Sequence, residues 1–219
     1  MQKTGLDGLV YDRLGHGRSD PLPSPEADPE HMHREARICL PELLDKNRIK
    51  RCILIGHSDG GSIGLIYAAH HPKRVQGIIT EAAHVFVDPL TLNGIENTAQ
   101  AYEHGDLGSR LARYHGENTD TLFRRWADTW RSREFSNWNL EALLPRITCP
   151  VLAIQGEEDE YGLPSQARAI TAGVGGPGET WFVPGCRHAP HLQARRKVLN
   201  RCSRFVCQIV KSAKIGGDH

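Results

Sequence analysis

The segment that most constrains this 219-residue chain is Gly56-His57-Ser58-Asp59-Gly60, a G-x-S-x-G motif. The apolar run of residues 52–55 precedes it, and the helix-compatible stretch of residues 61–69 follows it. In that context the motif predicts a sharp turn between a buried strand and a helix, with the serine exposed as a nucleophile. Glycines on either side of the serine are expected to keep Cβ atoms out of a crowded turn. A turn with a purely structural role is the alternative.

A serine needs a base and an acid to act as a nucleophile, and candidates for both follow later in the chain. Asp159 follows the strand-like run of residues 149–156, and His188 follows a second short run, residues 180–185. Both are therefore expected just beyond the carboxyl ends of strands, where open α/β sheets hold their ligands. In a triad, His188 would take the proton from Ser58, and Asp159 would orient the imidazole. The spacing favours this pair over other acids and histidines nearby, namely Glu158, Glu160 and His191.

Four motifs in this chain order resemble those of the α/β-hydrolase superfamily, in particular its small lid-bearing esterases and carbon–carbon bond hydrolases. They are the loop of residues 11–20, the elbow of residues 56–61, the acid loop of residues 156–159 and the histidine loop of residues 185–188. The resemblance covers about residues 8–206. It implies an α/β fold of the α/β-hydrolase type: a mostly parallel sheet flanked by helices, with a helical lid insertion.

The same resemblance implies that the fold is truncated at its N-terminus. Members of the family carry further strands and a His-Gly loop ahead of the loop that contains Asp12, and that His-Gly loop donates a second backbone N–H to the oxyanion hole. We therefore expect an opened sheet and a chain that is poorly soluble or weakly active. A fragment, a mispredicted start and an inactive truncated copy all fit this expectation.

Two neighbours of the serine are further candidates for the site. The resemblance implies that Asp59, which follows the nucleophile, lends its backbone N–H to the oxyanion hole. Its carboxylate is expected to point outward and to gain from the helix dipole. His57 is expected either to bind substrate or to pack under a neighbouring loop.

The character of the chain changes over residues 85–144, where polar helical stretches dominate. We interpret this segment as a lid inserted between two parts of the hydrolase core, residues 1–84 and 145–219. Its apolar residues at helical spacing are Leu122, Phe123, Trp126 and Trp130. Trp126 and Trp130 are therefore candidates for substrate binding, and ordinary helix core is the alternative. A lid with an apolar face favours a small-molecule substrate with an apolar or aromatic acyl part.

Composition favours a cytoplasmic protein without a nucleic-acid or membrane partner. The 27 basic residues balance 26 acidic ones, no apolar run approaches the ~18 residues of a membrane span, and the start lacks a secretory segment. The six cysteines form no C-x-x-C pair. Residues 173–178 fit a dinucleotide motif but lie between a helix-like run and a strand, which is the wrong context. The histidines lack metal-ligand spacing, so neither a cofactor nor a metal is predicted.

The sequence thus predicts a serine hydrolase that cleaves a carboxylic ester, a thioester or a related acyl bond through an acyl-enzyme. One alternative is a carbon–carbon bond hydrolase of the meta-cleavage-product type, which would use the same triad. Another is a truncated, catalytically incompetent fragment of such an enzyme. The oligomeric state is left open.

Overall fold

A four-stranded parallel sheet forms the centre of the molecule, in a computed structural model that describes residues 4–215. The strands are β1 (Cys52–His57), β2 (Val75–Glu81), β3 (Val151–Gly156) and β4 (Gly178–Val183). They lie side by side in chain order, with pairings such as His57 with Glu81 and Gly156 with Val183. Because all four are parallel, their carboxyl ends meet at one edge of the sheet.

Helices connect and cover these strands. Ahead of the sheet, α1 (His31–Arg34), a π-helical turn (Glu35–Cys39) and α2 (Leu40–Lys46) follow one another directly. The helix α3 (Asp59–His70) follows β1, and three helices lie between β2 and β3: α4 (Pro89–His104), α5 (Leu107–His115) and α6 (Thr119–Arg131). The 3₁₀ turns Gly116–Asn118 and Glu141–Arg146 lie in the same stretch. The remaining helices are α7 (Pro164–Gly173), α8 (Pro190–Gln193) and α9 (Arg195–Ile215).

Helices pack against both faces of the sheet. On one face α3 is buried nearly all round, and Leu65, Ile66 and Tyr67 are at most 1% exposed. On the other face α9 contributes Phe205 and Ile209 to a second apolar cluster. Fully burying one such side chain contributes about 1.5–3 kcal/mol, so these two faces hold the sheet in place. The helix that carries the basic side chains of α9 therefore packs on the sheet through its apolar residues.

The N-terminal segment differs from what the resemblance implies. The loop of residues 11–20 should follow a strand, but within residues 4–51 the structure has no strand. Val10 is 95% exposed, and on β1, an edge strand of the described sheet, Ile55 is 65% exposed. A strand exists only where its backbone pairs with a neighbour, and residues 5–11 do not pair with β1.

Within residues 4–215 no helix is both long and apolar enough to cross a bilayer.

Candidate active site

Ser58 is the single residue between β1 and α3. Its backbone angles, φ 52° and ψ −125°, lie in a region that non-glycine residues rarely adopt. The Ser58 N–H donates a 2.8 Å hydrogen bond to the carbonyl oxygen of Glu81 at the end of β2, so the sheet holds this conformation. The G-x-S-x-G segment therefore forms the predicted strand–turn–helix.

The glycines around Ser58 do not share one role. A Cβ on Gly56 would collide with the Gly60 carbonyl, and one on Gly61 would lie 2.6 Å from the Cβ of Ala83. A Cβ on Gly60 would meet nothing within 4 Å. The expectation that both flanking glycines avoid a clash is thus wrong for Gly60, because its α-carbon faces open space at the start of the helix.

The structure brings Ser58, His188 and Asp159 together in one hydrogen-bonded chain. The Nε2 atom of His188 lies 3.1 Å from Ser58 Oγ, and its Nδ1 atom lies 2.8 Å from Asp159 Oδ1. Asp159 follows β3 and His188 follows β4, so the parallel order of the sheet places all three at the same edge. With Nδ1 donating to the carboxylate, Nε2 is free to accept the serine proton.

The Asp159 carboxylate is buried, with its side chain 2% exposed, and its remaining lone pairs are satisfied locally. The N–H of Tyr161 donates to Oδ1 at 2.9 Å, and the amide of Gln155 donates to Oδ2 at 3.2 Å. Burial acts to raise the pKa of Asp159, but the hydrogen bond and the electrostatic interaction with His188 outweigh it and lower the pKa. The carboxylate therefore stays ionised opposite the imidazole.

The other acids and histidines of these loops have different partners. The Nδ1 atom of His191 lies 3.0 Å from the carboxylate of Glu81, away from the serine. Glu160 accepts a hydrogen bond from the backbone N–H of His188 at 3.1 Å, and its side chain does not bond the imidazole. The geometry thus distinguishes Asp159 and His188 from His191 and Glu160.

Asp59 is the first residue of α3, where a backbone N–H has no partner within the helix. Its carboxylate, however, does not point outward as expected. The side chain is buried and lies 3.4 Å from His31 Nε2, because α1 packs against the start of α3. Burial acts to raise the pKa of Asp59, but the hydrogen bond from His31 and nearby positive charge hold it at about 2.

A cavity of about 740 Å³ has Asp59, the residue after Ser58, in its wall, whereas Ser58, Asp159 and His188 are not among its lining residues. One wall comes from α5 and α6 and is largely apolar. The apolar residues of that wall are Leu107, Leu111, Leu122, Phe123 and Trp126. Residues 13–39 contribute most of the charged side chains of the lining, including Arg13 and Glu35. The cavity lining thus combines apolar and charged side chains.

Two residues predicted to bind substrate pack against other parts of the protein. Trp130 is 2% exposed and packs edge-on against Phe135 and His84, so it belongs to the core. It is on the buried side of α6, whereas Trp126 faces the cavity. The His57 ring packs against the loop after β4, with its Nε2 atom 2.9 Å from the carbonyl oxygen of His188. The alternatives of helix core for Trp130 and loop packing for His57 describe their positions.

Sequence reasoning missed two polar residues that support the site. The amide of Gln155 donates to the Asp159 carboxylate and to the carbonyl of Gly162. Glu81 pairs with the ring of His191 and accepts from its backbone N–H at 2.6 Å. Each is a polar residue near the carboxyl end of an otherwise apolar buried strand, and this was the signal available in the sequence.

A serine on a strand–helix turn, bonded to a histidine and an acid from later loops of a parallel sheet, is the arrangement of an α/β hydrolase. Residues 2–201 match the model of the Alpha/beta hydrolase family, and the chain belongs to that family. It is 27% identical over 190 residues to the human protein named Serine hydrolase BPHL, covering 84% of this chain and 64% of that one. The chain thus spans slightly less than two thirds of this relative.

Solved structures share the fold at lower identity. A carboxylesterase from the thaumarchaeon Nitrososphaera gargenis aligns with a TM-score of 0.68 at 20% identity, covering 92% of this chain and 80% of that one. The alpha/beta hydrolase MGS-M2, from a Medee basin deep-sea metagenome library, aligns with a TM-score of 0.67 at 19% identity, covering 92% and 78%. These likenesses establish the architecture, and they say nothing about substrate.

Proposed function

We propose that this protein is a serine hydrolase that cleaves a carboxylic ester or a related acyl bond through an acyl-enzyme. The observation that carries the proposal is the unbroken chain from Ser58 Oγ through His188 to Asp159, with distances of 3.1 and 2.8 Å. The family membership supports the hydrolytic chemistry.

Ser58, His188 and Asp159 each act at defined steps of this reaction. Ser58 attacks the acyl carbon as His188 Nε2 takes its proton, and the C–O bond to the leaving alcohol breaks as Nε2 returns that proton. A water molecule, deprotonated in turn by His188, then hydrolyses the acyl-serine. Asp159 holds the imidazole in the reactive tautomer and stabilises its protonated form. The buried, ionised state of the Asp159 carboxylate supports this role.

The oxyanion is stabilised at the start of α3. The Asp59 N–H and the positive end of the helix dipole face the place where negative charge develops on the substrate oxygen. One such donor is worth roughly 10²–10³-fold in rate. The Asp59 carboxylate is turned towards His31, at 3.4 Å from its Nε2 atom.

The substrate occupies the cavity beside Asp59, with its acyl part against the apolar wall. In this proposal residues 85–144 act as the lid between the core segments 1–84 and 145–219. Trp126 contributes to the wall, and Phe123 is held there by stacking on Tyr102 with ring centroids 3.8 Å apart. An apolar wall favours an apolar or aromatic acyl group over a short polar one.

Hydrolysis of p-nitrophenyl esters by the wild type and matched variants tests the proposal. Ser58→Ala and His188→Ala should each lower kcat by several orders of magnitude, because triad members act as a unit. His191→Ala is the control, since its ring pairs with Glu81, and it should stay within a few-fold of wild type. Loss of activity in His191→Ala with near-normal His188→Ala would contradict the assignment, as would wild-type turnover that is indifferent to Ser58→Ala.

A further inference from the structure

The backbone of His188 is held by side chains from two other loops. Its carbonyl oxygen lies 2.9 Å from His57 Nε2, and because a carbonyl only accepts, the imidazole of His57 donates this hydrogen bond. The His57 ring also lies edge-on to the His188 ring, with centroids 4.9 Å apart. His57 thus contacts both the backbone and the side chain of the histidine in the triad.

The opposite polar group of the same residue is held by Glu160. Its Oε2 atom accepts from the His188 N–H at 3.1 Å, and its Oε1 atom lies 3.2 Å from the guanidinium of Arg187. A carboxylate acceptor makes a stronger hydrogen bond than a neutral one. Both polar groups of the His188 backbone are therefore bonded to side chains.

The two bonds to the His188 backbone come from the chain neighbours of the two residues that bond the His188 ring. The His188 ring bonds Ser58 and Asp159, and the His188 backbone bonds their chain neighbours His57 and Glu160. The elbow and the acid loop therefore each form one hydrogen bond with the ring of His188 and one with its backbone. With both polar groups of its backbone bonded, the main chain of His188 cannot shift towards or away from Ser58 without breaking one of these bonds.

The rest of the histidine loop has anchors of its own. The Glu158 N–H donates to the Cys186 carbonyl at 2.9 Å, and the Cys186 side chain is buried. The His191 N–H donates to the Glu81 carboxylate at 2.6 Å. Removing His57 or Glu160 therefore leaves the loop attached and changes only how tightly His188 is located.

We propose that His57 and Glu160 are positioning residues that fix the imidazole of His188 between Ser58 and Asp159 by holding its backbone. The inference rests on the proposed function, because it assigns them to the same reaction. A displacement of about 1 Å in a catalytic group costs on the order of 10²-fold in rate. We therefore expect the loss to fall on kcat, with KM little changed, because His57 and Glu160 bond the backbone of His188.

The experiment compares variants that remove each bond with variants that restore it. His57→Leu and Glu160→Ala should each lower kcat by about 10- to 100-fold with KM within about twofold. His57→Gln retains a donor and Glu160→Gln retains an acceptor, so both should return kcat to within a few-fold of wild type. His191→Leu is the control, because its ring also packs on His57, with centroids 5.0 Å apart, but does not bond His188.

A second measurement needs no turnover. The proton between His188 Nδ1 and Asp159 should give a downfield proton NMR signal, which should shift or broaden in His57→Leu and Glu160→Ala but not in His191→Leu. An inactive wild type that shows this pattern would count against the proposed reaction and still support the positioning role. Wild-type kcat and an unchanged signal in both removal variants would overturn the positioning role, as would glutamine variants as impaired as the removal variants.

Discussion

The backbone N–H of Ser58 donates a hydrogen bond to the carbonyl oxygen of Glu81 at 2.8 Å. This bond continues the pairing of β1 with β2 past the end of β1, where His57 pairs with Glu81. It extends the hydrogen-bonded ladder to Ser58, whose φ is positive, and so the sheet offsets the strain of the turn. The strained angle in turn directs Oγ towards His188.

A first prediction concerns that strain. Glycine adopts φ 52° and ψ −125° without strain, whereas other residues are strained there by about 1–3 kcal/mol. Ser58→Gly should therefore have a free energy of unfolding about 1 kcal/mol above that of Ser58→Ala, after the higher chain entropy of glycine is deducted. Urea unfolding of the two inactive variants measures the difference. Equal stabilities, or a less stable glycine variant, would show that residue 58 is not strained.

A second prediction separates the two glycines of the motif. Gly56→Ala should be strongly destabilised or insoluble, since its Cβ would press against the Gly60 carbonyl. Gly60→Ala has open space and lies in a helix, so it should be tolerated and gain about 0.5–1 kcal/mol. Thermal unfolding and esterase assays on both variants check this. A Gly60→Ala variant that is as damaged as Gly56→Ala would contradict the geometry of the turn.

A third prediction separates the two tryptophans of α6. Trp126→Ala should lower kcat/KM for esters with long or aromatic acyl groups by about tenfold, while acetate esters change little. Trp130→Ala should instead destabilise the fold by about 3–5 kcal/mol, because its indole is 2% exposed. The measurements are an acyl-chain series and thermal unfolding. The prediction is wrong if Trp130→Ala changes acyl preference at full stability, or if Trp126→Ala leaves the preference unaltered.

A fourth prediction concerns Asp28, which joins α6 to the segment ahead of α1. Its carboxylate bonds the guanidinium groups of Arg34 and Arg125, and its N–H donates to Thr129 Oγ1 at 2.8 Å. The hydrogen bonds from Arg34 and then Arg125 outweigh burial and lower the pKa of Asp28 to about 2. Because Arg34 is half-exposed, we expect solvent screening to leave a contribution of about 1–2 kcal/mol.

A carboxyl group with a lowered pKa stabilises the fold above its ordinary pKa and loses that effect as pH falls through the folded value. Asp28→Asn should therefore be less stable than wild type by a constant amount above about pH 5, and the gap should shrink from about pH 4 towards pH 2. Urea unfolding across this range measures it. Asp120→Asn, which removes an exposed partner of Arg124, is the matched control and should change little. A gap that widens on acidification would contradict the ion-pair interpretation.

The parts of the fold that the sequence predicted are those set by local pattern. Apolar runs mark β1 and β3, and β3 is buried along its whole length because a central strand of a covered parallel sheet is buried on both faces. The stretch after the elbow predicted α3, and the spacing of apolar residues over 122–130 predicted a helix there, within α6. The serine, the acid and the histidine were predictable because each follows a strand end, and parallel strands bring those ends to one edge.

The parts that could not be predicted depend on partners remote in the chain. The direction of the Asp59 carboxylate is set by His31 in α1. The burial of Trp130 depends on His84 and Phe135, which are contributed by other segments. His57 bonds His188 only because β1 and the loop after β4 end at the same edge of the sheet. In each case the local sequence allowed two positions, and tertiary packing selected one.

The most direct test of the central claim is covalent labelling of Ser58. The folded wild-type chain is incubated with a fluorophosphonate, and the adduct is located by mass spectrometry of its peptides. We predict one adduct, on Ser58, with labelling abolished in Ser58→Ala, slowed by orders of magnitude in His188→Ala and unchanged in His191→Ala. Equal labelling of wild type and Ser58→Ala, or an adduct on another residue, would contradict the account.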